Sequence, residues 1–207
     1  MGHSGEGTAA AQVHLSVRRL RVLGPGGNSS DTSNVFCPGR RHTTSLTTCL
    51  ACPRLLLVAE DSIECAAVRD ENLADEAFDS RLGGDVCVGE VTGFATVCVL
   101  ADVAAAVLAR SLKDQGSAVA VVVEAPDRVL GLVDLETAIL ARAGVSVGHL
   151  ARHVHPVREA ATLAFAVERM VRERARALPV VDGEGVLVAL LSDIDALHWV
   201  ARRARNA

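Results

Sequence analysis

The chain has 207 residues, 50% of them hydrophobic but only 2% aromatic, and a formal net charge of -4. So few rings exclude a stacking platform for single-stranded nucleic acid, and the mild acidity leaves no electrostatic footprint for a duplex, so nucleic acid is not an expected partner. The longest apolar runs, Val119–Val123 and Leu55–Ala59, fall far short of the roughly 20 residues that cross a bilayer. The opening Met1-Gly2-His3-Ser4-Gly5-Glu6-Gly7 lacks the basic and apolar stretches of a secretory signal, which makes the cytoplasm the expected address.

Residues 1–34 are rich in Gly, Ser, Ala and Thr and read as a flexible arm. Val13-His14-Leu15-Ser16-Val17 alternates like a strand, but an isolated strand has nothing to hold it. Gly24-Pro25-Gly26-Gly27-Asn28 is a loop signal.

Residues 35–82 hold Cys37, Cys49, Cys52 and Cys65, spaced C-x11-C-x2-C-x12-C. Disulfides are rare in a reducing compartment. A C-x2-C pair lets two thiolates meet one ion, and two more cysteines complete a tetrahedral site for zinc, with an iron–sulfur cluster the less favoured occupant. Pro38, Gly39 and Pro53 supply turns, and a metal would give so polar a segment something to fold around. Only one close pair is present, however, so buried or redox-active thiols, or a remnant that has lost its ion, stay open. Cys87 and Cys98 lie in the alternating runs Val86-Cys87-Val88 and Val97-Cys98-Val99 and read as packing residues. Asp70–Leu82 reads as a short acidic helix or linker, broken by Gly83-Gly84.

Residues 83–145 and 146–207 read as two copies of one unit. Val88-Gly89-Glu90-Val91 matches Val147-Gly148-His149-Leu150 as a helical turn leading into each copy. Helical patterns follow at Asp102–Leu112 and Thr162–Val171, with Thr162 as an N-cap and Leu163, Ala166, Val167 and Met170 on the apolar face. Short apolar strands come next, Val119–Val123 and Ala177–Val181, then turns at Pro126-Asp127 and Asp182–Gly185. Second strands at Val129–Val133 and Val186–Leu191 lead to helices at Leu135–Ala143 and Ile194–Arg203. The fold class is α/β (α+β): β-α-β-β-α twice, each copy too small for a good core, so the two pack sheet to sheet as a pseudo-twofold pair with helices outside.

The ordered set resembles the CBS domain family, specifically the paired CBS (Bateman) module, over about residues 86–203. Ala177-Leu178-Pro179-Val180-Val181-Asp182, followed by Ala189-Leu190-Leu191-Ser192-Asp193-Ile194-Asp195, carries the resemblance most strongly. It implies a regulatory sensor that holds AMP, ADP, ATP or S-adenosylmethionine between its repeats. By the same analogy Leu178 and Pro179 border the ligand, and Val157 offers an apolar surface to adenine. It also implies pairing into a flat homodimer through outer helices, where Ala104-Ala105-Ala106 would allow close approach.

Chemistry at the second copy is consistent with that reading. Ser192 sits where strand gives way to helix and would face a phosphate, with Asp195 one turn on as acceptor for a ribose diol. The same two residues also suit a plain helix cap. In the first copy Asp134 and Thr137 stand in their places: an anion that repels phosphate, and a hydroxyl that cannot grip a diol. One working site is expected, with the first copy as part of its wall. His149, His153 and His155 lack further ligands at useful spacing, and Arg176 is placed to approach a phosphate. No Ser–His–Asp order, phosphate loop or paired acids stand out, so the chain is not read as an enzyme. The other reading is a structural or interaction dimer with a zinc domain and no nucleotide. The regulated protein partner is not identified by the sequence.

Overall fold

The structure, a computed structural model, describes residues 12–66, 86–93, 95–125 and 127–206. The segment Asp70–Leu82, expected as acidic helix or linker, lies outside the described residues.

The first repeat opens with the turn α2 (Val88–Val91) and continues as β6 (Ala95–Leu100), α3 (Ala105–Asp114), β7 (Val119–Ala125), β8 (Arg128–Asp134) and α4 (Leu135–Leu140). The second has a 3-10 turn at Val147–His149, then β9 (Val157–Arg158), α5 (Leu163–Glu173), β10 (Ala177–Val181), β11 (Leu187–Ser192) and α6 (Asp193–Asn206). Both follow the expected β-α-β-β-α order. Each sheet has a parallel first pair, β6–β7 and β9–β10, and an antiparallel hairpin, β7–β8 and β10–β11. Thr162 caps α5 by accepting the Phe165 N–H at 3.3 Å, and Leu163, Ala166 and Met170 turn inward below it. Val121, Val123 and Leu132 of one sheet share a buried cluster with Leu178, Val180 and Leu191 of the other. This is the sheet-to-sheet core that neither copy could close alone.

The entrances to the repeats cross over. Arg152, leading into the second copy, bridges Leu132 of the first, its N–H and carbonyl bonded to that residue at 2.9 and 3.0 Å. Gly131 permits this approach, since a Cβ there would collide with the Arg152 backbone. In the reverse direction Leu190 donates to Thr96 Oγ1 at 3.1 Å.

Residues 12–34 depart from the flexible arm expected of residues 1–34, of which 1–11 lie outside the described residues. Gln12–Leu23 forms β1, a 12-residue strand. It pairs with β2 (Ser29–Cys37), with β5 (Ser62–Ala66), and in parallel with β6. β3 (His42–Ser45) pairs with β2, α1 (Leu46–Leu50) follows it, and β4 (Leu55–Val58) forms a hairpin with β5. The partners that an isolated Val13–Val17 lacked are therefore present, and the first repeat's sheet grows to eight strands. Leu15, Val17, Val35, Cys49, Ile63 and Cys65 form a small core of their own.

A buried carboxylate fixes this unit to the second repeat. Glu159 is 2% exposed and accepts the Thr43 N–H at 2.9 and 3.0 Å and the Thr43 hydroxyl. Arg18, likewise buried, reaches Thr43 Oγ1 at 3.4 Å. Burial pulls the Arg18 guanidinium down to about 10, and the Glu159 charge opposes that shift. The Phe36 ring lies against Gly89, where any Cβ would overlap it.

Candidate functional site

A cleft of about 1000 Å³ opens between the two repeats. Ser192 and Asp195 line it, and so do Asp134 and Thr137. All four sit where a strand feeds a helix, β11 into α6 and β8 into α4.

The two helix entries are bonded differently. In the second copy Asp195 Oδ2 accepts from the Ser192 N–H at 2.9 Å and from its hydroxyl at 2.6 Å, while the Asp195 N–H donates to Ser192 Oγ at 3.1 Å. This reciprocal cap satisfies donors at the start of α6. Both carboxylate bonds run to Oδ2. The other oxygen, Oδ1, faces Gly93, where a Cβ would stand 3.0 Å away. In the first copy Asp134 Oδ1 accepts the Thr137 N–H at 2.7 Å, a simple N-cap.

Cations line the same cleft. Arg152, Arg174 and Arg176 line it together with Asp134, Asp193 and Asp195. Arg176 pairs with Asp193 at 3.0 Å, with its side chain 87% exposed, so the pair contributes little and the guanidinium is free to turn toward an anion. Arg152 is held by the Arg174 carbonyl at 3.3 Å.

Of the residues expected at a ligand, Ser192 and Asp195 reach the cleft; Val157, Leu178 and Pro179 do not line it. Val157 pairs with Val180 beneath the inter-sheet core, and Leu178 and Pro179 lie within the central strand of a three-stranded sheet. Ala177, the first residue of that strand, lines the cleft instead, together with Gly93 and Ala95 from the first repeat. By the offset of 59 that relates Val88 to Val147, Gly93 corresponds to Arg152, and both enter the cleft. His198, one turn beyond Asp195, was not singled out by the sequence pattern.

Among the described residues no group of three or more histidine, cysteine, aspartate or glutamate side chains is arranged to hold a metal ion. The zinc site expected at Cys37, Cys49, Cys52 and Cys65 is thus not preformed. All four are free thiols. They are nevertheless neighbours: burial raises the Cys49 thiol first, and proximity to Cys37, Cys65 and Cys52 raises it further. Cys98 is buried in β6 and pushed up to about 12 by that burial, while Cys87 receives the Arg41 guanidinium at 3.1 Å and opens α2. His155 pairs with Glu173 at 3.1 Å and packs edge-on to His153. No described helix is long and apolar enough to cross a membrane.

The CBS domain family matches residues 147–202, and no curated protein matches the chain. Among solved structures the chain is similar to the cytosolic domain of the Mg2+ channel MgtE in complex with ATP, at 24% identity over 55% of this chain and 48% of that one, with a TM-score of 0.50. It is similar to CBSX2 in complex with AMP, at 19% identity over 57% of this chain and 98% of that one, TM-score 0.50. A CBS-containing hemolysin-like protein of Oenococcus oeni PSU gives 16% identity, 55% and 89% coverage, and a TM-score of 0.51. The chain spans about half the length of two of the magnesium-transport structures it matches, 48% and 49%. At these identities the likeness is one of fold, and the fold is that of a CBS-domain pair. CBS domains are regulatory, non-catalytic modules.

Proposed function

We propose that this chain is a ligand-sensing regulatory module that binds an adenosine nucleotide (AMP, ADP, ATP or S-adenosylmethionine) in the cleft between its repeats. One observation carries the reading. Asp195 lines the cleft and keeps its cap bonds on Oδ2, so Oδ1, beside the cleft-lining Gly93, is the acceptor we assign to a ribose hydroxyl in a space of nucleoside size. Ser192 and the start of α6 stand beside it, and Arg152, Arg174 and Arg176 provide phosphate partners. Bound ATP in the MgtE domain and bound AMP in CBSX2 support the ligand class. Asp134 makes the first-repeat end of the cleft a poor phosphate site, so one nucleotide per chain is expected. Titration calorimetry with AMP and ATP tests this. Binding on the order of micromolar, lost in Asp195→Ala and retained in Thr137→Ala, is expected; no heat from any adenosine ligand overturns it.

The module pairs with a second copy through α5 and α6, whose outer faces leave Val167, Val171, Leu197 and Val200 exposed around a groove of about 630 Å³. It acts in the cytoplasm on a protein partner. Light scattering should give twice the chain mass, reduced to the single mass by Val171→Asp.

A further inference from the structure

The cleft leaves Cys37, Cys49, Cys52 and Cys65 without a role, and the fold gathers them at one end of the N-terminal unit. Cys37 ends β2 at the turn into β3, where the Arg40 N–H returns to the Cys37 carbonyl at 3.2 Å. α1 packs on β2 and β3 and carries Cys49 in its last turn. The Cys52 N–H then bonds the Cys49 carbonyl at 3.0 Å, and the Leu55 N–H bonds the Cys52 carbonyl at 3.1 Å. Leu55 is the register partner of Cys65, and the Ala66 N–H reaches the Arg54 carbonyl at 2.8 Å, so the loop holding Cys52 leads directly onto Cys65. Cys49 and Cys65 meet in one buried cluster.

Apolar burial does little to hold this arrangement. In β4 only Leu55 is partly covered; Leu56, Leu57 and Val58 are each about half exposed, at 50%, 55% and 48%. Two of the six residues in the unit's buried core are themselves cysteines. A core that small is a weak anchor for five strands, and sulfur donors brought from four separate backbone positions are the kind of cross-link that small units use in its place.

We propose that Cys37, Cys49, Cys52 and Cys65 bind one zinc ion as a closed tetrathiolate site. Cys49 and Cys52 supply two ligands from one loop, Cys37 a third from the β2–β3 turn and Cys65 the fourth from β5. Each thiol releases its proton to solvent as its Zn–S bond forms, with no change of oxidation state. The four side chains are neighbours but not yet arranged around an ion, so binding must draw them together. With all four positions filled by sulfur, the ion is structural and holds the β4–β5 hairpin to α1 and the end of β2.

The test uses the full chain, expressed with zinc in the medium and purified without chelators. Elemental analysis should give one zinc per chain, falling to near zero in Cys52→Ser and unchanged in Cys87→Ser, which lies outside the cluster. If Cys52→Ser does not fold, cobalt exchanged into the unmodified chain decides. The intense visible absorption of a tetrahedral tetrathiolate supports the site, and its absence overturns it. A zinc content near zero, a disulfide among the four cysteines by mass spectrometry, or iron–sulfur absorption each overturns the proposal.

Discussion

β6 and β9 are the same element in the two repeats, with Cys98 set beside Val121 as Val157 is set beside Val180, yet β6 runs six residues and β9 two. The difference lies on their outer edges. β1 is hydrogen-bonded along β6 from Arg19 to Leu23, whereas β9 has β10 as its one strand partner among the described residues. Strand length here is set by the neighbour and not by the strand's own residues, as expected where sheet formation depends on context. The N-terminal unit extends one repeat's sheet and, through Thr43 and Glu159, is pinned to the other repeat.

The largest effect is expected where that pin is removed. Glu159→Ala strands Arg18 in a buried site and should cost about 3–5 kcal/mol in urea unfolding. A loss under about 1 kcal/mol would show that the unit is not anchored there. Changing Arg18 to Met together with Glu159 to Leu should recover much of the loss, because the expensive state is one charge left without the other.

Alkaline unfolding separates the two strands next. The Cys98 thiol is raised from 9.0 to about 12 in the fold. A raised folded value means stability that is complete below pH 9 and lost as pH climbs from 9 toward about 12. The loss should be on the order of a few kcal/mol. Cys98→Val, which copies Val157, should flatten this part of the profile; an unchanged slope would assign it to other groups.

Gly89 and Gly148 make a third comparison. They are equivalent across the repeat, but a Cβ at Gly89 overlaps the Phe36 ring, whereas at Gly148 it meets Ala101 at 3.0 Å. Gly89→Ala should cost about 1–3 kcal/mol in thermal unfolding, and more than Gly148→Ala. Equal costs would mean that Phe36 moves aside without penalty. The smallest stability effects belong to the caps: Asp134→Ala and Asp195→Ala should each cost about 1 kcal/mol. Only the second should also abolish nucleotide heat.

The repeat was legible because its apolar spacing recurs: Leu163, Ala166 and Met170 point inward as their periodicity required, while Val167, expected on the same face, is 39% exposed. The N-terminal sheet was not. β2 opens with Ser29-Ser30-Asp31-Thr32-Ser33-Asn34, and its outer residues are exposed, so its pairing with β1 and β3 is what makes it a strand. Ser192 and Asp195, singled out by type and position, line the cleft and form the cap that the same pattern allowed. Gly93 and Ala95 reach the cleft because the entrances cross between repeats, and nothing in a single copy's pattern records that exchange. Val157, Leu178 and Pro179 were expected at the ligand from sequence analogy, while strand pairing places them in the packed interior.

The Glu159 contact also imposes an order in time. Thr43 is translated 116 residues before the carboxylate it meets. While the nascent chain is shorter than that, Arg18 has no counter-charge at its docking place, and the N-terminal strands must wait for the second repeat. Contacts so distant along the chain form late and slowly. A ribosome that stalls between the repeats would therefore expose an undocked sheet, leaving the incomplete protein marked for proteolysis.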